Sequence, residues 1–216
     1  MNFRASSIGK IMTEPKSKSE VLSVGAKTYI RELAAQEILG IDFRVSSKPM
    51  EKGIFMEQSA IDMFNEVNGT WLQKNTERRT ANGITGECDL FDPVKNIGHD
   101  IKCSWSAATF PIFPIDAENN NIYEWQMRAY MMLWDAEAWN IQYCLLTTPE
   151  HLRGYEPESM HIVDHIPASY RITTCEIERD FKMEEAMIKK VAHAKDYYLT
   201  IIEQFHEAHA FQEAHK

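Results

Sequence analysis

With 216 residues, 44% hydrophobic and 25% charged, the chain is long enough for one filled core and short for two domains. No apolar run approaches the ~20 residues of a membrane span, and the opening MNFRASSIGKIMTEPK lacks the apolar centre of an export signal, so one cytoplasmic domain is expected. A net charge of −9 excludes a uniformly basic phosphate-binding surface, and the lack of any Cys-x-x-Cys pair excludes a zinc ribbon or a cysteine-held iron–sulfur cluster.

Apolar residues at helical spacing (Val21, Val24, Tyr29, Leu33, Ile38) predict a helix over about 20–39, stopped by Gly40. A second helix is predicted from Pro49 or Met50 to Asn68. Phe55, Ala60, Ile61, Phe64 and Val67 form its expected buried stripe, and Asn68-Gly69 ends it. The period then changes, and 70–79, 83–91 and 97–104 read as strands, the last two joined by an Asp92-Pro93 turn. After a connection bearing Pro111 and Pro114 comes an apolar helix over 120–134, then strands over 139–146 and 170–178. A long amphipathic helix over 180–209 follows, with Met187, Val191, Ala194, Tyr198, Ile201 and Phe205 as its inner face. This order predicts an α/β single domain with a central mixed β-sheet flanked by helices. Its core spans about 49–148, between N-terminal helices (1–48) and a C-terminal strand and helix (149–216).

The basic residues cluster: Lys10, Lys16, Lys18, Lys27 and Arg31 come early, Lys48 and Lys52 are read as preceding a helix, and Lys74, Arg78 and Arg79 form a third group. The acidic excess lies between Asp116 and Glu137 and in the last helix, so a local basic face is compatible with the net charge.

The stretch Gly86-Glu-Cys-Asp89-Leu-Phe, a turn, then Gly98-His-Asp100-Ile-Lys102-Cys carries the chemistry. Alternation along a strand puts Asp100 and Lys102 on one side, with Ile101 and Cys103 on the other. Cys88 and Leu90 flank Asp89 in the same way. Neighbouring strands would present two carboxylates and an ammonium together, an arrangement that a hard divalent cation stabilises. Asp-x-Lys alone is also the pattern of a surface ion pair. Here it is accompanied by Gly53-Ile-Phe-Met-Glu57 on the preceding helix and by Tyr123-Glu-Trp-Gln126-Met-Arg-Ala-Tyr130 on the following one, which places an amide and a phenol among apolar residues.

The order Gly-x-x-x-Glu, Gly-x-x-Asp, Asp-x-Lys, Tyr-x-x-Gln resembles the PD-(D/E)XK nuclease superfamily, and within it the phage-type YqaJ/lambda exonuclease branch. Ala5-Ser6-Ser7-Ile8 is similar to that branch's N-terminal Ala-Ser segment, and the likeness covers roughly 4–146. It implies a restriction-endonuclease-like core and Mg²⁺-dependent hydrolysis of DNA, with Mn²⁺ as a substitute and two ions per site. By this resemblance Asp89, Asp100 and the Ile101 carbonyl ligate metal. Glu57 does so directly or through water, Lys102 positions the attacking water, and Gln126 holds Lys102 or the phosphate. Ser6, with Tyr130 and more weakly Arg4 and Lys10, would meet a terminal phosphate. The implied substrate is the end of linear double-stranded DNA, degraded 5′ to 3′ in phage-type recombination in the host cytoplasm. A single-strand annealing protein is the implied partner and a ring the implied homo-oligomer. A structure- or sequence-specific endonuclease and a non-catalytic binding module are the alternatives. Glu87 and Arg128 depart from the branch, which often has a small hydroxyl and a second glutamine there.

Other signals read as structural. His161 and His165 suit an extended run better than a metal site, and His206, His209 and His215 lie on a polar helix end. Trp125, Trp134, Trp139 and the Met127–Met132 stretch are expected in the core, whereas Trp105 is placed to touch DNA.

Overall fold

The computed structural model describes residues 1–117 and 120–214; His215 and Glu118 fall outside them. A strand β1 (Phe3–Arg4) and a 3-10 turn (Ala5–Ser7) lead into helices α1 (Ile8–Ile11), α2 (Val24–Leu39) and α3 (Lys48–Asn68). Strands β2 (Arg79–Ala81), β3 (Ile84–Gly86), β4 (Leu90–Asp92) and β5 (Ile97–Cys103) follow. Then come α4 (Pro114–Ala117), α5 (Asn121–Trp134), β6 (Ala138–Cys144), β7 (Ile172–Glu178) and α6 (Phe181–Ala214). The helix ends are written locally. The Ser23 hydroxyl caps α2 by accepting the Ala26 N–H at 2.9 Å, Pro49 opens α3, and Gly40 and Gly69 end the two helices at φ 64° and 62°. No helix among the described residues is long and apolar enough to cross a membrane.

The expected mixed sheet has the order β4-β5-β6-β7, with β5 and β6 parallel and the outer pairs antiparallel. A second, small sheet, β1-β3-β2, forms beside it. Two strand expectations fail here. Residues 70–78 form no strand, and the run over 83–91 is broken after Gly86, so that β3 and β4 join different sheets. Alternation within that run could not reveal the break, because pairing partners decide where a strand ends.

The main sheet is buried on both faces, and β6 alternates between them. Trp139 and Ile141 pack with α1, α2, α5 and α6 in the larger core, while Cys144 joins Ala60, Ile61 and Phe64 of α3 in the smaller one. Trp134 and Trp139 are core residues, as are Met127 and Met131; Trp125 is half-buried. Cys88, Cys144 and Cys175 are buried. The inner face of α6 is Met187, Val191, Ala194 and Tyr198, with Ile201 and Phe205 only half-buried.

The stripes of the first two long helices are displaced from expectation. On α2 the buried face is Ala26, Ile30 and Ala34, and Val24 is exposed. The side chains there are small because α2 packs closely along α1 and α6. On α3, Phe55 and Val67 are exposed and Met63 is buried instead.

Gly98 lies opposite Trp139 in the parallel ladder. A Cβ at Gly98 would stand 2.2 Å from the Trp139 ring, which is fully buried and stacks on Phe91. Gly98→Ala must displace that ring and should destabilise the chain by about 2–3 kcal/mol. Urea denaturation checks this, and an unchanged midpoint would contradict the packing described.

Candidate active site

Strand β4 runs beside β5 only as far as the Leu90–His99 pair. Beyond it the chain turns away, and the edge of β5 from Asp100 to Lys102 lacks a backbone partner on that side. The Asp89 carboxylate fills the gap: its Oδ2 accepts the Ile101 N–H at 2.6 Å. The Asp89 carbonyl in turn accepts the Asn75 N–H at 2.8 Å, tying the turn to the segment after α3. Asp89 is thereby held beside Asp100 without being its ladder partner.

Asp100 is almost completely buried and faces α5. Its Oδ1 accepts from Gln126 Nε2 at 3.2 Å, and its Oδ2 lies 2.5 Å from Lys102 Nζ. That contact is an ion pair, and among the described residues Oδ2 has no further hydrogen-bond partner. Lys102 Nζ also lies 4.8 Å from the centre of the Tyr123 ring. Gln126 Nε2 reaches the Tyr130 hydroxyl at 3.2 Å, and that hydroxyl donates to the Glu87 carbonyl at 3.0 Å. The buried amide and phenol of α5 thus find their partners in the carboxylate site and in the loop leading to Asp89. The other side of β5 carries Ile101 and Cys103 against α3, as alternation requires.

Glu57 reaches the same place from α3. It lines, with Asp89, Asp100, Lys102 and Gln126, a cavity of about 440 Å³. Its carboxylate is paired with Lys74, a residue that the sequence grouped with a basic face. Lys52 is a second departure from that grouping. It lies within α3, fully buried, with its ammonium bound to backbone carbonyls. Arg78 and Arg79 are likewise paired, with Glu87 and Glu77. Of the expected basic groups, Lys27, Lys74, Arg78 and Arg79 are thus in ion pairs and Lys52 is buried.

The charges shape each other. Burial and the neighbouring Asp100 raise the Asp89 carboxyl to about 7, against the pull of Lys102 and the Ile101 N–H. Burial works against the Lys102 ammonium, but Asp100 and Asp89 outweigh it and hold its pKa above the usual value. Among the described residues no group of three or more His, Cys, Asp or Glu side chains is arranged as a ready metal cage. The four expected ligands are brought to one cavity with Glu57 turned to Lys74 and Asp100 to Lys102. The donor set still suits a hard divalent cation, being all oxygen, with a buried Asp100 Oδ2 that has no hydrogen-bond partner among the described residues beyond its ion pair with Lys102.

A second, smaller cavity of about 140 Å³ is lined by Arg4, Ser6, Arg78, Glu87 and Tyr130. The three residues expected at a terminal phosphate come together there. Ser6 is exposed within the 3-10 turn. Gly86 forms part of this wall because Tyr130 and Ala5 crowd it, a Cβ falling 2.8 Å from the phenol ring. Lys10 is not in this cavity and lies over the Tyr29 ring. Trp105 donates its indole N–H to Glu156 at 2.7 Å, and His161 is buried between Thr148 and Glu156. Arg78, Lys74 and Lys52 were not singled out by the sequence motifs. Only Lys52 left a signal there, a charge in line with the apolar stripe of Met56, Ala60 and Phe64.

A mixed sheet with an Asp-x-Lys strand flanked by a Glu-bearing and a Gln-bearing helix is the plan of a PD-(D/E)XK nuclease. No protein-family model matches the chain, and no curated protein does. Among solved structures, a phage-related exonuclease from Haemophilus somnus 129PT is 35% identical over 95% of this chain and 96% of its own, with a TM-score of 0.90. The alkaline exonuclease LHK-Exo from Laribacter hongkongensis shares the fold at 16% identity, with a TM-score of 0.71 over 98% of this chain and 94% of its own. The same enzyme in complex with dAMP matches at 18% identity, with a TM-score of 0.69 over the same shares of the two chains. The chain belongs to the phage-related, lambda-exonuclease-like family of PD-(D/E)XK nucleases.

The raised Asp89 pKa has a consequence for the metal-free chain. Below about pH 4 folded and unfolded states both hold the proton. Between 4 and 7 the folded state keeps a proton that the unfolded chain has lost, so this group's contribution to stability falls as pH rises and levels off above 7. In EDTA at pH 8, Asp89→Asn should be more stable than wild type by about 2 kcal/mol, with the gap closing towards pH 4. Urea titrations at the two pH values measure it, and equal stabilities at pH 8 would contradict the electrostatic picture.

Proposed function

We propose that the protein is a metal-dependent exonuclease that hydrolyses phosphodiester bonds at the ends of linear double-stranded DNA, proceeding 5′ to 3′. The observation that carries the reading is the group at the open edge of β5: two carboxylates, an ammonium and an amide in one cavity. Asp89, Asp100 and the Ile101 carbonyl would hold Mg²⁺ or Mn²⁺, two ions being the expected complement, and Glu57 would join when its pair with Lys74 opens. A bound cation supplies Lewis-acid polarisation of the phosphate and stabilises charge on the leaving oxygen.

The chain's own groups do the rest. Lys102, already ionised by its two carboxylate neighbours, orients the attacking water and faces the negative charge that builds on the phosphate oxygens. Gln126 fixes the Asp100 carboxylate, and Tyr130 links that amide to the Glu87 carbonyl, so both stay in register with the scissile bond. Water adds to phosphorus as the P–O3′ bond breaks, and the 3′ oxygen takes up a proton. The shortened strand then again begins with a 5′-phosphate. Arg4, Ser6 and Arg78 would receive that phosphate, with Glu87 competing for Arg78.

The similarity to a phage-related exonuclease over nearly the whole of both chains supports end-directed action. LHK-Exo's complex with dAMP is consistent with a nucleotide product for the fold. A phage-type recombination setting, an annealing-protein partner and a homo-oligomeric ring belong to the same reading.

Linear duplex bearing 5′-phosphates, incubated with Mg²⁺ beside a closed circle, should release nucleotides from the linear form only. Lys102→Ala should lower the rate about 10²- to 10³-fold, and EDTA should abolish it. Arg78→Ala should reduce the preference for 5′-phosphate over 5′-hydroxyl ends while sparing single-turnover chemistry. Cutting of the circle would favour the endonuclease alternative. No cutting of either with Mg²⁺ or Mn²⁺ would overturn the reading.

A further inference from the structure

We propose that Lys52 is a positioning residue of the nuclease centre, clamping the helix that carries Glu57 to the ends of the two strands beyond Asp100 and Lys102. The inference rests on the proposed nuclease reading and extends it to a residue outside the motif set.

Lys52 is 0% exposed. Its Nζ lies 2.8 Å from the Ser104 carbonyl, 2.9 Å from that of Trp105, 2.8 Å from that of Leu146 and 2.9 Å from the Thr148 hydroxyl, four acceptors that share its three N–H donors. None of these partners is a carboxylate. Burial accordingly pushes the ammonium down to about 8, and an apolar side chain on the stripe of Met56, Ala60 and Phe64 would fill the space without that desolvation. For packing alone, lysine is a poor choice here.

The four partners explain what it achieves. Ser104 lies two residues beyond Lys102, just past the end of β5, and its N–H donates at 2.9 Å to the carbonyl of Cys144, the last residue of β6. Leu146 lies two residues beyond the end of β6. Glu57 is five residues along α3 from Lys52. One ammonium thus spans α3, the end of β5 and the end of β6, and it sets how far the Glu57 carboxylate stands from Asp89 and Asp100. Thr148 is itself held, its hydroxyl lying 2.9 Å from the Trp105 carbonyl and 3.0 Å from His161 Nδ1. His161 Nε2 and the Trp105 indole meet on Glu156 Oε2 at 2.8 and 2.7 Å. The clamp thus joins a chain of hydrogen bonds that runs out to Glu156 at the surface.

The test compares wild type, Lys52→Met, Glu57→Gln and the double variant. Three quantities are read: thermal midpoint, Mn²⁺ binding to the DNA-free protein by calorimetry, and kcat and KM on 5′-phosphorylated linear duplex. Lys52→Met is expected to fold, to keep KM within about two-fold, and to lose about 10- to 100-fold in kcat together with Mn²⁺ affinity, as loss of a residue that orients metal ligands does. The double variant should be no worse than the weaker single variant, because Lys52 acts through α3 and Glu57. Lys52→Arg should recover part of kcat. A folded Lys52→Met with unchanged kcat and Mn²⁺ affinity, or effects that multiply with those of Glu57→Gln, would overturn the inference. If Lys52→Met fails to fold, Thr148→Val replaces it. A several-fold fall in kcat at constant KM, not additive with Glu57→Gln, supports the clamp, and an unchanged kcat rejects it. A wild-type protein that neither binds Mn²⁺ nor cuts DNA would reject the nuclease reading itself, and the clamp with it.

Discussion

A single hydrogen bond, from the Ile101 N–H to Asp89 Oδ2, takes over where the β4–β5 ladder stops. A backbone donor inside a sheet must be paired, and here a side-chain carboxylate replaces the neighbouring strand. Two results follow from the substitution. The edge of β5 is left open to a cavity instead of being covered by backbone, and Asp89 is fixed close to Asp100 against their mutual repulsion. Were β4 to continue its ladder by two more residues, the strand would seal the edge and the cavity would have no floor.

The remainder of the site compensates for that crowding. Lys102 lies against Asp100, Gln126 holds its other oxygen, and Lys74 takes up the third carboxylate, Glu57. Each anion of the site thus leans on a lysine or an amide.

The positions of the helices, the Gly and Asn stops, the Asp92-Pro93 turn and the Asp-x-Lys strand were legible because each depends on neighbours within a few residues. The catalytic candidates were legible for a related reason, since alternation places Asp100 and Lys102 together whatever the sheet around them. The faces of α2 and α3 were not. Val24 and Phe55 look like core residues by type, yet α2 is covered by a helix some 160 residues away in the chain and offers it Ala26 and Ala34. The break between β3 and β4 was hidden for the same reason, because it exists only through the different partners the two halves find.

Sequence by itself determined which chemical groups are available and on which side of the β5 strand Asp100 and Lys102 stand, since strand alternation follows from backbone periodicity. It also determined the class of protein, through motifs whose order survives any packing detail. Tertiary structure alone decided that Asp89 would serve as a substitute ladder acceptor, that Lys74 and Arg78 would be bound to carboxylates, and that Lys52 would be buried on four oxygens. Those outcomes depend on distances between segments remote in sequence. In a low-dielectric interior such distances, rather than residue type, decide whether a charge is an asset, a neighbour's counterion or a structural pin.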